Sequence, residues 1–589
     1  MTEPNQSGEA KAAFYSKDYW DLVFEQLAKR KLFKLSMAIL ALLYASAIYA
    51  PLLANDKPYV IEGIDYKEYK SATSLMSATV SSMSRLMGQS ADEYEENRTE
   101  LAPPTLREAL QVERDALALK LATMRAFLPD EEEPPLDAYE AEVDAALGAF
   151  DGGQVAAAAE QMDAAKKTGR ALKRDFRTDP PAEAGGEPEG KPLVPLKSYP
   201  LFDSLGPYNI FMMVLWALVL LWPLWNKLTN QVLLGGDRER VRKARRKKAA
   251  FTVVVPLVAA LGWAGTMGAG GGSFDVSLYK ANLTSGDFTT VEDPVFPPVP
   301  YGFAESHQDE GFRPPTWTTE SEISEEGYYV HGLRKPELDP ATGTFPPPSP
   351  VEVRAGEPER NSASRHLAGT DETGRDVFTR MLWGGRVSLA VGVLSAFLLT
   401  LIGVVMGSIA GFFGGKVDIA IMRLIEILQS IPAFFLILVV MAFTDPEVVP
   451  PIIMIVVVIA LVRWTGVARL VRGEFLRMRE SEFVLAARAL GFRSGRTIFR
   501  HVLPNAISPI IVSGAFSVAA GILTESAISF LGFGIQHPEA SWGSLVNASQ
   551  SPEHWWIQIF PGFVIFLTVT CYNLAGDALR DALDPKLKD

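Results

Sequence analysis

The stretch "VLAARALGFRSGRTIFRHVLPN", Val484 to Asn505, lies between two of the most apolar runs of the chain. It is basic, rich in small residues and interrupted by glycine. Phe483, Ala486, Ala487 and Leu490 recur at i, i+3, i+4 and i+7, the spacing of one helical face. Small side chains on that face let another surface approach closely. Gly491 fits a helix C-terminus, where a left-handed residue is usually needed. A second short helix is expected over about 494–502, carrying arginines, and Pro504 fits the first turn of the apolar helix that follows. The expected product is a helix–turn–helix elbow fixed between two spans on one face of a membrane. A solvated basic loop on the membrane surface is the blander alternative.

Outward from the elbow, apolar residues collect in runs of about 20, enough to cross a bilayer as helices. These runs lie near 34–54, 208–226, 251–268, 387–412, 419–443, 451–467, 505–530 and 557–576. About 30 mostly polar residues precede the first, with no clean small-residue cleavage site after it, so it is expected to stay as an anchor rather than act as a signal peptide. Lys and Arg beside spans mark the cytoplasmic side. "LAKRKLFK" before the first span and "DRERVRKARRKKAAF" (Asp237 to Phe251) between the second and third are then inside. Alternation places 55–207 outside. It places the elbow, with Arg469, Arg472, Arg477, Arg479, Arg488, Arg493, Arg496 and Arg500, inside, together with both termini.

The outside segment 55–207 reads as helical over about 71–175. Leu106, Leu110, Leu117, Leu121, Met124 and Leu128 share one helical face, and "DGG" at 151–153 marks a turn, which suggests a helical hairpin domain. "TDPPAEAGGEPEGKPLVP" follows as a linker. Prolines in "PVFPPVPYGF", "RPPTW" and "TFPPPSPVEV" predict extended chain over the next outside segment. The net charge of −13 resides mainly in these soluble parts. Cys571 is the single cysteine, which excludes an internal disulfide and a multi-thiolate metal site, and the histidines show no metal-ligand spacing.

Ionisable residues inside spans are costly and usually face a cavity or a partner. Glu426, with Arg423 three residues before it, and Glu525 are such residues, and Pro432 should kink the span that carries Glu426. Glu426, Pro432 and Glu525 are candidates for a translocation path. Hydrogen bonding between helices competes with that role, and is favoured for Glu426. Asp577, Arg580, Asp581 and Asp584 are expected to form a charge cluster at the cytoplasmic end.

The elbow resembles the cytoplasmic loop of binding-protein-dependent ABC importer permeases, E-A-A-x-x-x-G followed by I-x-L-P. Ala486, Ala487, Gly491, Leu503 and Pro504 match that pattern, whereas Leu485 and His501 stand where it has glutamate and isoleucine. "HLAGTDETGRDVFTRMLWGGRVSLAVG", "GFFGGKVDIAIMRLIEILQSIPAFFL", "ESAISFLGFGIQHPEASWGSLV" and the C-terminal "FPGFVIFLTVTCYNLAGDALRDALDPKLKD" are similar to the dipeptide/oligopeptide/nickel branch. The likeness covers about 366–589 and the first span.

The resemblance implies an all-α polytopic membrane protein of the bacterial cytoplasmic (inner) membrane: a type I ABC importer permease core with about eight transmembrane helices, six of the family and an inserted pair, plus an inserted helical extracytoplasmic domain. The chain then divides into a cytoplasmic N-terminus (1–33), a first transmembrane helix (34–54), the inserted domain and linker (55–207), an inserted hairpin with a basic loop (208–268), a Pro-rich extracytoplasmic segment (269–380) and the permease core (381–589), whose coupling loop is 468–504. It also implies a second permease subunit, two ABC ATPases and an extracytoplasmic solute-binding protein as partners, and no nucleic acid. Glu482, Ala486, Ala487, Arg488, Gly491, Leu503 and Pro504 would couple the chain to the ATPases. No G-x-x-x-x-G-K-[ST] loop occurs, so ATP and Mg would sit on those partners, with no catalytic residue, metal or cofactor in this chain. Peptides are the expected cargo, with nickel chelates or peptide antibiotics as alternatives. An envelope scaffold or sensor on a permease-like core, and an intramembrane enzyme, are the other classes. The enzyme would need a motif such as G-x-S-x-G or H-E-x-x-H, and neither is present.

Overall fold

The structure is a computed structural model that describes residues 19–97, 104–180, 188–230, 238–266, 287–291, 294–316, 328–333, 350–354, 366–443 and 449–583. Thr344 to Ser349 of "TFPPPSPVEV", within the expected extended segment, and Asp584 of the expected charge cluster lie outside the described residues. The chain divides into two compact units: residues 1–54, 206–266 and 301–589 form one, and 55–205 with 267–300 form the other.

Among the described residues of the first unit, helices covering Lys31–Ile48, Lys247–Gly265, Val377–Phe413, Pro451–Met478, Ile507–Phe530 and Pro552–Leu583 are long and apolar enough to cross a membrane. Two further helix pairs reach that length only together, and both are bent. The 208–226 run is Pro207–Leu220 followed by Trp222–Leu228 at 60°, and the 419–443 run is Gly415–Ser430 followed by Ala433–Phe443 at 79°. The second bend falls at Pro432, which lacks the backbone N–H needed to continue the ladder.

The long helix Val377–Phe413 is the spine of this unit. Its apolar composition alone does not set the close approach of its neighbour Pro451–Met478. Gly403, Gly407 and Gly411 recur every four residues and so share one face. A methyl group on Gly407 would lie 2.4 Å from the Ala468 carbonyl oxygen, and on Gly403 2.6 Å from Cβ of Val467. The two backbones therefore touch along a glycine stripe, the device by which helices associate in lipid, where apolar burial supplies little drive. Ile507–Phe530 packs on the spine similarly, with Gly392 against Ile522 and Gly521 against the Gly392 carbonyl.

The N-terminal helix Tyr19–Lys29 buries Val23 and Leu27 against Ala578, Ala582 and Leu583. Arg30 pairs with Asp581 at 2.6 Å, which is where one member of the expected C-terminal charge cluster is used. The first span is fastened to the last by the Tyr44 and Tyr572 hydroxyls, 2.6 Å apart. The helix Pro207–Leu220 joins this framework: Tyr49 donates to the Met213 carbonyl at 2.7 Å, and Arg386 of the spine donates to Asn209.

In the second unit, four helices, Tyr66–Asn97, Pro104–Phe127, Pro134–Asp151 and Val155–Asp175, enclose one core. Leu110, Leu117, Leu121 and Met124 of the stripe are buried there beside Met76, Met83, Tyr139 and Met162. The expected hairpin is thus half of a four-helix arrangement. A three-stranded antiparallel sheet adjoins it, with Ile61–Asp65 between Leu196–Ser198 and Phe288–Thr290. Residues 287–291 and 294–300 group here rather than with the rest of the 269–380 segment, since Phe288–Thr290 supplies an edge strand and Asn55 N–H donates to the Val299 carbonyl.

Candidate functional site

The elbow begins where Pro451–Met478 ends. Ser481, in extended conformation, precedes the helix Glu482–Ala489. That helix closes on Gly491 at φ +73°, with Gly491 N–H donating to Arg488 C=O at 2.9 Å and Phe492 N–H to Ala487 C=O at 3.1 Å. This pair of bonds is a Schellman closure, and it needs the left-handed residue that glycine adopts without steric cost. Ser494–Thr497 then runs into a wider turn, Ile498–Val502, closed by Leu503 N–H on Ile498 C=O at 2.8 Å. Phe492 stacks on His501 at 5.7 Å and lies under Arg496.

The structure corrects two expectations here. The stripe Phe483, Ala486, Ala487, Leu490 is not one face in use. Val484 and Ala487 point inward and are buried, whereas Phe483, Ala486 and Leu490 point out, Leu490 being 73% exposed. At about 100° per residue, i and i+3 share the packed side, and the neighbours one step away fall outside it. Pro504 is not in the first turn of the next helix, which starts at Ile507. It lies in the preceding turn, where Ala506 N–H closes on Val502 and Leu503 carbonyls.

The inward side locks the elbow to the rest of the unit. Val484, Ile498, Val502 and Ala506 share a core with Phe412, Val471 and Phe475. The Arg488 guanidinium lies over the Phe412 ring at 4.8 Å, and Arg472 holds Asp418 through two hydrogen bonds, one of 2.6 Å. Glu482, Ala486, Leu485 and Phe499 remain on the outer surface, and Leu503 is half-buried. The arrangement is a stiff lever with a partly apolar outer face. A force on that face passes to the spine through packed side chains rather than through a loose loop.

The candidate path residues separate. Glu426 accepts from Arg423 at 2.6 Å in an exposed pair within one helix. Glu525 is fully buried and receives hydrogen bonds from Ser388 at 2.9 Å and Ser529 at 2.8 Å, while Ser388 also accepts from Trp542 N–H. Glu525 therefore pins the spine, the Ile507–Phe530 helix and the Trp542 turn together. Of the three, Pro432 lines the cleft of about 410 Å³ between the broken helix pair, Pro451–Met478 and Ile507–Phe530, and Glu426 and Glu525 do not line it. Sequence reading missed Arg463, which lines the same cleft. Its signal was a lone cation inside an apolar run, "VVVIALVRWTG".

A second motif is structural. In "HLAGTDETGRD" the Asp371 carboxylate accepts from Thr373 N–H at 2.9 Å, Arg375 N–H at 3.1 Å and Arg375 Nε at 2.7 Å. His366 is fully buried, with Nδ1 2.9 Å from Asp376 and Nε2 2.9 Å from Glu310, and stacks on Tyr301 at 4.4 Å. Burial alone would lower its pKa, but the two carboxylates outweigh burial and raise it above the ordinary imidazole value. Among the described residues no cluster of histidine, cysteine or carboxylate is placed to hold a metal ion.

With this geometry in place, comparison with known proteins decides the family. The Dipeptide transport system permease protein DppC of Bacillus subtilis is 43% identical over 251 residues, 42% of this chain and 77% of that protein. The chain belongs to the family of binding-protein-dependent transport system inner membrane components. The family description of that name matches residues 403–589, and the N-terminal TM domain of oligopeptide transport permease C matches 18–73. The Oligopeptide transport system permease protein OppC of Haemophilus influenzae is 44% identical over 38% of this chain and 70% of its own length. OppC of Escherichia coli is 41% identical over 38% of this chain and 73% of its own. One chain of the MetNI methionine ABC transporter in an inward-facing form overlaps 35% of this chain and 97% of its own, with a TM-score of 0.30 and 18% identity. The elbow and the glycine stripe both lie inside the matched 403–589 region, and the four-helix unit lies largely outside both matches. The chain is a multi-pass inner-membrane permease, of a transport family rather than an enzyme family, and such permeases work with ATPase and substrate-binding partners.

Proposed function

We propose that this chain is the permease subunit of an ATP-driven importer of peptides, and that the elbow 480–504 is where ATPase subunits drive it. The observation that carries the reading is the elbow itself: a Schellman-closed helix locked by Val484, Ala487, Ile498 and Val502, presenting Phe483, Ala486 and Leu490 outward. An apolar outer face on a stiff, basic cytoplasmic elbow suits a groove on a partner protein better than a lipid surface, because its anchors are few and its backbone is fixed. Peptides are proposed as cargo because the related permeases are named for dipeptides and oligopeptides. The chain itself would hydrolyse no ATP; nucleotide and Mg would bind the two ATPases. A second permease subunit would complete the path, and a solute-binding protein would deliver cargo from outside. Both termini and the elbow would be cytoplasmic, with 55–207 outside, following the basic segments at 237–251 and 469–500.

The test is reconstitution. The chain, a second permease, the ATPases and the binding protein in proteoliposomes should accumulate labelled tripeptide only with ATP. Accumulation without the ATPases, or ATP-dependent accumulation that survives replacement of both Phe483 and Leu490 by glutamate, would overturn the reading.

A further inference from the structure

We propose that Arg463 is a carboxylate-binding residue on the translocation path, the subsite that receives the C-terminal carboxylate of a transported peptide. The inference rests on the peptide-permease reading above and adds to it a residue and a chemistry.

Arg463 lies within the apolar run 451–467 of the helix Pro451–Met478, four residues before the run ends. Among the described residues it has no carboxylate partner, whereas Arg423 and Arg472 both have one. An unpaired guanidinium inside a span is expensive against lipid, and such residues are retained where they meet a cavity or a charged ligand. The structure places Arg463 on the cleft of about 410 Å³. The walls of that cleft are polar for a membrane interior. Gln429, which donates to Thr465 at 3.1 Å, stands on one side, and Ser513 and Ser517 stand on another. The fourth element is the break at Ile431–Pro432, where one span gives way to two helices at 79°. Irregular backbone at membrane depth is tolerated where it lines a cavity rather than lipid.

These features converge on an anion. Guanidinium offers paired donors matched to a carboxylate, and Gln429 and the two serines supply neutral hydrogen-bonding groups around it. The carboxylate of a peptide comes from its C-terminus or from an acidic side chain. Every peptide carries the first, so a residue serving peptides of varied sequence serves the C-terminus.

The test uses the complete transporter in proteoliposomes, with Cys571→Ser as the parent and Arg463→Cys added to it. Uptake of trialanine and of Ala-Glu-Ala is measured before and after treatment with a cationic aminoethyl methanethiosulfonate or an anionic sulfonatoethyl one. Loss of a charged hydrogen-bond partner predicts uptake slower by on the order of tenfold or more, for both peptides alike. The cationic reagent restores most of it, and the anionic reagent restores none. A loss confined to Ala-Glu-Ala would overturn the C-terminal assignment in favour of acidic side chains. Parent-level uptake by Arg463→Cys, or rescue by both reagents or by neither, would overturn the subsite. Failure of the complex to assemble with Arg463→Cys would also overturn it, by showing that Arg463 pairs with the second permease. If the parent complex imports neither peptide, the peptide-permease reading fails and this inference falls with it.

Discussion

A single methyl group at Gly407 should separate the two helices on which the permease core is built. A Cβ there would sit 2.4 Å from the Ala468 carbonyl oxygen and 2.8 Å from Cβ of Val471. Ordinary contact begins near ~3.5 Å, so the helices must part by about 1 Å at that point. The stripe cannot absorb this locally, because Gly403 and Gly411 make the same approach one turn away on either side, with Gly411 2.5 Å from Cβ of Phe475. Overpacking of this kind costs about 1–3 kcal/mol. Alanine also favours helix over glycine by up to about 1 kcal/mol, which opposes the effect. Gly473→Ala isolates the packing term, because a methyl on Gly473, in the helix that the stripe packs against, meets nothing within 4 Å and carries a similar propensity gain. The assay is reversible denaturant unfolding of the purified chain in detergent, read as the shift in midpoint at constant slope. Gly407→Ala should be less stable than Gly473→Ala by about 1–3 kcal/mol. Equal stability of the two would refute the claim that backbone contact holds these helices together.

The spans were legible because lipid demands long apolar runs, and the elbow was legible because Gly491 interrupts a basic, small-residue segment between two of them. What single-chain periodicity cannot tell is which side of a short helix packs. Ala487 and Phe483 look equivalent in "EFVLAARALG", yet one is buried and the other exposed. Residues joined across the fold were equally hidden. Glu525 and Ser388 are 137 positions apart, and His366 and Glu310 are 56 apart, so no local pattern announces either bond. The glycine stripe was visible as "GVVMGSIAG" but carries no charge or aromatic group to mark it. The strand Ile61–Asp65 is short, and both its partners are remote in sequence.

Three further outcomes follow from the same geometry. Ala487→Glu should lower the melting temperature of the purified chain, because Ala487 is buried, whereas Leu490→Glu should leave melting unchanged and abolish co-purification with the ATPase; the reverse pattern would mean the faces are misassigned. His366 has a raised pKa, so the stability it contributes through Asp376 and Glu310 is fully present below the ordinary value of 6.5 and is lost as pH rises through the raised value. Wild-type melting should therefore fall from about pH 6 to about pH 9 more steeply than that of His366→Asn, and parallel curves would refute the ion triad. In a Cys571→Ser background, cysteines at Glu95 and Asp163 should react with an impermeant thiol reagent in intact spheroplasts, and cysteines at Arg245 and Arg493 should react only after the membrane is opened; labelling of Arg245 from outside would overturn the proposed orientation.

The central claim is that the outer face of the elbow is the contact through which an ATPase moves this permease. The direct measurement is cross-linking in the assembled transporter, with cysteine at Ala486 or Leu490 in the Cys571→Ser background and a short thiol-to-amine reagent. The account predicts a product joining this chain to an ATPase subunit from both positions, with a yield that changes between nucleotide-free and ATP-bound complexes. A complex that imports peptide while neither position cross-links to the ATPase in any nucleotide state would contradict it.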